Sequence, residues 1–268
     1  MRAALKIIGI VIAKIAYVIG VRKTVTLENL KNAYPELSLV KQKEIAAGAY
    51  VNLGIVFAEM IYLRFASPKN IAKHINISNP ELFHDLLKAK NGLIVVAGHF
   101  ANWEWLALGG ALVLRENFAV VRKNIQTSFT ERFLEKMRIR TGNTLINSGE
   151  IRKMYRVLRN GGCIALLADQ SAPGESTRVK FFRREVPTAE GPARLALQTR
   201  APILFAECLR QENDDYLITF HQIVFDDLKG TVLENIQVLT YRHVHVLEEI
   251  IRTHPDQWLW QHRRWKFV

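Results

Sequence analysis

From Leu5 to Val21 the chain is almost wholly apolar, broken only at Lys6 and Lys14. Lys14 interrupts the apolar centre that a cleaved leader needs, and the run falls short of the roughly 20 apolar residues of a full span. The pattern predicts a helix lying partly in a membrane interface, its lysine stems on apolar surface and their ammonium groups reaching phosphates. Two more helices follow. One covers about Leu27–Ala33; the other starts after Ser38, a good N-cap, and ends near Phe65, before Pro68. Its opening, Lys41 to Glu44, is polar, and apolar positions then recur at Ile45, Tyr50, Leu53, Val56, Phe57 and Met60.

Beyond Asn79 the pattern changes to strands alternating with helices. Asn79-Pro80 opens a short helix, cap first and proline in the first turn. Leu93–Ala97 is a continuous apolar run of strand length, the mark of a strand covered on both faces. Helical spacing returns over Trp103–Leu114, Phe129–Ile139, Ile151–Leu158, Ala193–Gln198 and Val232–Ile251. Strands are expected at Phe118–Val121, Thr144–Ile146, Cys163–Ala168, Ile203–Leu209 and Tyr216–Phe220. This alternation predicts an α/β fold, a central sheet flanked by helices. No repeat or linker divides it, so the chain reads as a membrane-associating helix, residues 1–22, followed by one domain, residues 23–268.

Composition adds one constraint. The 268 residues are 49% hydrophobic and 23% charged, an ordinary globular balance, but the net charge is +12. Self-repulsion of that size implies an anionic partner: nucleic acid, an anionic membrane surface or a phosphorylated substrate. Cys163 and Cys208 each sit in an apolar run and read as small core residues.

Working residues of such sheets gather at the carboxyl ends of strands. There the chain reads Val95-Val-Ala-Gly98-His99-Phe-Ala-Asn102-Trp-Glu104. Gly98 permits a tight strand exit and Asn102 is an N-cap, placing Glu104 in the first helical turn. Across that bend Glu104 can accept from one imidazole nitrogen of His99 and leave the other as a base. Arg122 and Lys123 leave a second strand, where a guanidinium suits phosphate oxygens, and Asp169-Gln170 leave a third. Asp169 reads equally as a cleft residue or a structural cap. Near the end, His262-Arg263-Arg264-Trp265-Lys266 mixes cations with aromatics, a composition suited to packing or to anionic headgroups. Glu190, before Gly191-Pro192, reads as a first-turn helix charge. His74, His84, His221, His243 and His245 lack metal-ligand spacing and read as structural.

Gly98-His99-Phe-Ala-Asn-Trp-Glu104 resembles the His-x-x-x-x-Asp/Glu signature of the lysophospholipid acyltransferase superfamily, and in particular its lipid A biosynthesis (lauroyl/myristoyl) branch. Four further stretches resemble that branch in the same order: Thr26–Pro35, Gly161–Gln170, Phe181–Ala196 and Trp258–Lys266. The resemblance implies a mixed sheet of the glycerol-3-phosphate/lysophospholipid acyltransferase kind. It implies a position on the cytoplasmic face of the cell inner membrane. The expected reaction moves a fatty acyl chain from an acyl carrier protein or coenzyme A thioester to a hydroxyl of a phosphorylated lipid or glycolipid, foremost a lipid A precursor. The thioester is a co-substrate; no cofactor and no metal is expected. His99 is the expected base and Glu104 its orienting partner. Arg122, Asp169, Gln170 and Asn102 are the expected substrate-binding residues.

Other classes fit less well. Nucleic-acid binding rests on charge alone, without a zinc-finger, RNP-type or glycine-rich phosphate motif. A metal hydrolase is disfavoured because the His99–Glu104 spacing is not that of His-Glu-x-x-His. The alternative carried forward is a non-catalytic membrane lipid-binding protein on the same fold.

Overall fold

In the computed structural model, described over residues 1–89, 91–123, 129–172, 174 and 177–266, the chain forms an α/β fold around a seven-stranded mixed sheet. Three helices come first: α1 (Arg2–Val18), α2 (Lys23–Ala33) and α3 (Leu39–Phe65). Ser38 caps α3, its hydroxyl accepting from the Lys41 amide. The helix stops at Phe65, and Pro68 opens another, α4 (Pro68–Ala72), capped by Ser67. Then come β1 (Ile75–Ile77), α5 (Pro80–Lys88), β2 (Leu93–Ala97), α6 (Trp103–Leu114), β3 (Phe118–Arg122) and α7 (Phe129–Arg138). The second half holds β4 (Thr144–Asn147), α8 (Ile151–Arg159), β5 (Cys163–Leu167), β6 (Arg178–Phe181), β7 (Arg184–Pro187), α9 (Gly191–Thr199), β8 (Ile203–Arg210), β9 (Tyr216–Ile223) and α10 (Val232–Thr253).

The sheet order is β1-β9-β8-β2-β5-β3-β4. The five strands from β8 to β4 are mutually parallel, β9 runs antiparallel to β8, and β1 follows β9. Every residue of β2 is buried, as its unbroken apolar run requires of a central strand. Helices α3, α4, α6 and α7 pack together on one face; α8, α9 and α10 pack on the other. Strands β6 and β7 form a separate hairpin against α10.

The N-terminal helices make one layer of this body. Gly9 of α1 lies against Gly54 of α3 so closely that a Cβ on either would collide with the other's carbonyl oxygen. The far side of α1 exposes Ile7, Ile8, Val11, Ile12, Ile15 and Val18, and the adjoining rim of α3 exposes Phe57, Ile61 and Phe65. Two neighbouring helices thus expose large apolar side chains, with Lys14 among those of α1. Helix α3 is long and apolar enough to cross a membrane, but most of it is buried inside the protein.

Of the two readings of the C-terminal segment, packing holds for its tryptophans and for Arg264. Trp258, Trp260, Trp265 and Arg264 are buried, packed around Phe181 and Phe182 beside the β6–β7 turn. Arg264 donates to the Pro187 carbonyl at 2.8 Å and to the Thr188 hydroxyl at 2.6 Å, so it is no headgroup contact. Glu190 is likewise more than a surface charge: it is buried, accepts from the Thr177 hydroxyl and pairs with Arg194.

Candidate active site

Strands β2 and β5 are parallel neighbours with Ala97 opposite Leu167. Two residues further along each chain lie His99 and Asp169, brought level at the carboxyl edge by that register. The Ala168 amide donates to the Ala97 carbonyl at 3.1 Å, carrying the pairing past the last strand residues. Gly98 has a purpose beyond a tight exit: a Cβ there would lie 2.8 Å from a Leu247 methyl and 3.4 Å from Asp169 Oδ2. The left-handed residue of the turn is Ala101, with φ +44°.

Asp169 holds His99 at two points. Its Oδ1 lies 2.7 Å from His99 Nδ1, and its Oδ2 accepts the His99 backbone N–H at 2.8 Å. The indole N–H of Trp258 donates to the same Oδ2 at 3.0 Å. Burial alone would push the Asp169 carboxyl up, but the facing His99 charge and these hydrogen bonds outweigh it and hold it at about 2. In a neutral ring, an ionised carboxylate on Nδ1 places that nitrogen's proton between them and leaves the lone pair on Nε2. On the Nε2 side stands the Gln170 amide nitrogen, 3.4 Å away, and the edge of Trp103 meets the ring at a centroid distance of 4.8 Å.

The hydrogen bond expected between Glu104 and His99 is not formed. Glu104 does fall in the first turn of α6, but its carboxylate, 1% exposed, is gripped from α7 by Arg138. Arg138 Nε lies 3.2 and 3.0 Å from the two oxygens, and its Nη2 donates to Oε1. A buried carboxylate needs a full counter-charge, which a planar guanidinium supplies with two parallel N–H bonds and a neutral imidazole does not. Burial opposes the Arg138 charge, but Glu104 and Glu131 together hold its pKa above the ordinary value.

Asn102 corrects a second expectation. It is 0% exposed, with Oδ1 accepting from the Glu104 and Trp105 amides and Nδ2 donating to Glu59 at 2.9 Å. It caps the helix from a fully buried position, with a structural part in place of the substrate contact expected of it. Arg122 ends β3, two strands from β2, about 10 Å away at ordinary strand spacing. Its Nη1 pairs with Glu131 and lies 3.8 Å from Glu135 of α7, while its buried Nε has no hydrogen-bond partner among the described residues.

Two histidines separate from the rest. His243 is buried in α10, with Nδ1 3.1 Å from the Leu239 carbonyl, and burial pushes its pKa down to about 4. His262, read from the sequence as part of a packing or headgroup segment, comes to the site: its Nε2 accepts from the Ser171 amide at 3.4 Å. Burial lowers His262 to about 4, aided by the charges of His99, Lys123 and Arg264 and opposed by Asp169. Burial also lowers Arg264, to about 10, and the Asp169 charge works against that. Sequence reading therefore missed Trp258 and His262 as neighbours of the site, and Arg138 as the partner of Glu104. The signal for the first two was the clustering of Trp258, His262 and Arg264 within seven residues; Arg138 had none.

Comparison with known proteins gives this geometry a context. A family model described as bacterial lipid A biosynthesis acyltransferase matches residues 1–267. A lipid A biosynthesis palmitoleoyltransferase of Escherichia coli (strain K12) is 23% identical over 248 residues, covering 91% of this chain and 79% of that protein. A lipid A biosynthesis acyltransferase of Shigella flexneri matches to the same extent. A lipid A biosynthesis lauroyltransferase of Escherichia coli (strain K12) is 21% identical over the same shares.

Proposed function

We propose that this chain, which belongs to the bacterial lipid A biosynthesis acyltransferase family, moves a fatty acyl chain from a thioester donor to a hydroxyl of a lipid A precursor, with His99 as general base. The observation that carries the mechanism is the 2.7 Å contact between His99 Nδ1 and ionised Asp169, which leaves Nε2 as the accepting nitrogen. A lipid hydroxyl is a poor nucleophile at neutral pH, and a positioned base typically supplies about two to four powers of ten in rate. As the acceptor oxygen attacks the thioester carbonyl, its proton passes to Nε2. The imidazolium so formed is stabilised by Asp169. Collapse of the tetrahedral intermediate breaks the C–S bond, and the leaving thiolate takes the proton back from Nε2. Atoms and charges balance without a covalent acyl-enzyme.

Asp169 thus takes the orienting role first read onto Glu104. Gln170 faces the reacting nitrogen and is assigned to substrate positioning. Arg122, with its unmatched Nε, is assigned to the acceptor or its phosphate. The apolar faces of α1 and α3 and the net charge of +12 support a seat on an anionic bilayer, which we assign to the cytoplasmic face of the inner membrane. The donor is assigned to acyl carrier protein or coenzyme A.

The test is transfer by purified full-length protein in mixed micelles, with a lipid A precursor as acceptor and either thioester as donor. Product mass should rise by one acyl group, and cells lacking the protein should lack one acyl chain in lipid mass spectra. Lipid binding without thioester turnover would instead make this a non-catalytic lipid-binding protein.

A further inference from the structure

The turn that carries His99 is held from below by helix α3. Asn52 and Glu59 stand seven residues apart, two helical turns, and so on one face of that helix. Asn52 Nδ2 donates to the Gln257 carbonyl at 3.0 Å and to the Ala101 carbonyl at 3.4 Å. Glu59, buried, accepts from Asn102 Nδ2 at 2.9 Å and from the Tyr216 hydroxyl on Oε2. Its Oε1 accepts from Arg2 of α1, Nε at 2.9 Å and Nη2 at 2.7 Å. The Arg2 guanidinium also lies over the Trp105 ring, 4.8 Å from its centroid, and donates to the Asp214 carbonyl. From the other side the Ala101 amide donates to Gln257 at 2.7 Å, and the His99 carbonyl accepts from Leu259 at 3.1 Å.

Two features make this more than a buried ion pair. Ala101 holds a left-handed φ that an L-residue keeps only when its surroundings over-determine it, and those surroundings include Asn52 and the Asn102 side chain anchored on Glu59. The counter-charge of Glu59 also arrives on α1, whose outer side is the exposed apolar face and whose inner side crosses α3 at Gly9 and Gly54. Without Arg2, Glu59 is a carboxylate in an apolar setting with two neutral donors, and its best response is to move or to bind a proton. Either change acts on Asn102 and so on the turn.

We propose that Arg2 and Glu59 are positioning residues of the transfer reaction: the seat of α1 on α3 neutralises Glu59, which fixes Asn102 and with it the His99–Asn102 turn. The N-terminal helix is then part of the catalytic architecture as well as a membrane contact. This rests on the transfer reading for its kinetic readout only.

The experiment uses full-length protein in mixed micelles and on phosphatidylethanolamine–phosphatidylglycerol vesicles, with variants Arg2→Met, Arg2→Lys, Glu59→Gln and the double variant Arg2→Met/Glu59→Gln. Arg2→Met should lower kcat by about tenfold to a hundredfold, the usual cost of a small misplacement, with little change in either KM or in vesicle pelleting. Arg2→Lys should recover part of the loss. The double variant should be more active than Arg2→Met alone, because glutamine accepts from Asn102 and Tyr216 without a buried charge. Amide exchange across residues 98–105 should quicken in Arg2→Met and slow again in the double variant. An Arg2→Met protein with wild-type kcat, or one whose loss Glu59→Gln does not relieve, overturns the proposal; so does a loss confined to KM or pelleting. If the wild type itself transfers nothing, the acyltransfer reading fails, and unchanged exchange in Arg2→Met separately overturns the coupling.

Discussion

Glu104 and Asp169 are both buried carboxylates near the same turn, yet their surroundings give them different chemistry. Glu104 sits in the first turn of α6 and is neutralised by the guanidinium of Arg138. Asp169 leaves a strand and faces an imidazole, an indole N–H and a backbone amide. A carboxylate locked to a permanent cation has little effect left for a histidine. One held ionised by hydrogen bonds and a titratable ring can stabilise that ring each time it takes a proton. Nearness in sequence favours Glu104, but nearness in the sheet selects Asp169.

The largest expected effect tests that selection. Asp169→Asn keeps the size of the side chain but removes the charge and presents an amide that disfavours the required tautomer, so kcat should fall by about three to four powers of ten. His99→Ala should fall as far, and the double variant hardly further, since the two act as one unit. Steady-state transfer assays on protein checked by circular dichroism would decide. Near-normal turnover in folded Asp169→Asn, beside a collapse in Glu104→Gln, would return the orienting role to Glu104.

A smaller effect, read in stability, is expected at the other carboxylate. Arg138→Met strands a buried Glu104 charge and should cost about 3–5 kcal/mol of unfolding free energy. Replacing both partners, Glu104→Leu with Arg138→Met, should recover most of it, because an apolar pair of similar volume needs no counter-charge. Denaturant unfolding in detergent measures both. Full stability in Arg138→Met would mean that Glu104 is already neutral in the fold.

The contrast also marks what the chain's pattern could reveal. Helix α6 lies where periodicity and the Asn102 cap place it, α3 begins at its Ser38 cap, and the family resemblance of the five motifs is matched by the family model over nearly the whole chain. These are local signals, or signals of motif order. Strand β1 is three residues, too short for any period to register. Strand β6 does alternate, Arg178-Val-Lys-Phe181, but four residues between motifs are easily passed over. The pairing of His99 with Asp169 depends on the register of two strands 70 residues apart. The choice between Glu104 and Asp169 depends on Arg138 arriving from α7. Neither is encoded within a window of a few helical turns.

The weakest expected effect separates the site's own titration from that of the scaffold beneath it. His243 is buried, donates from Nδ1 to a helical carbonyl and leaves Nε2 without a partner among the described residues, so the fold favours its neutral form. Its pKa is lowered to about 4, against about 6.5 for an unfolded histidine, so the unfolded chain takes the proton first as pH falls. The stability His243 contributes is therefore complete above pH 6.5 and lost between about 6.5 and 4, at most about 3 kcal/mol at 1.36 kcal/mol per unit. His262 titrates over the same window and adds less, being only partly buried. Asp169, held at about 2, keeps its contribution through that window and loses it only below about pH 4, the unfolded value. His243→Leu should accordingly flatten the fall in melting temperature between pH 6.5 and 4 while leaving the steeper loss below pH 4 in place. Asp169→Asn should do the reverse. A His243→Leu protein whose melting temperature still falls by the wild-type amount from pH 6.5 to 4 would show that the histidine is charged, or solvated, in the folded state.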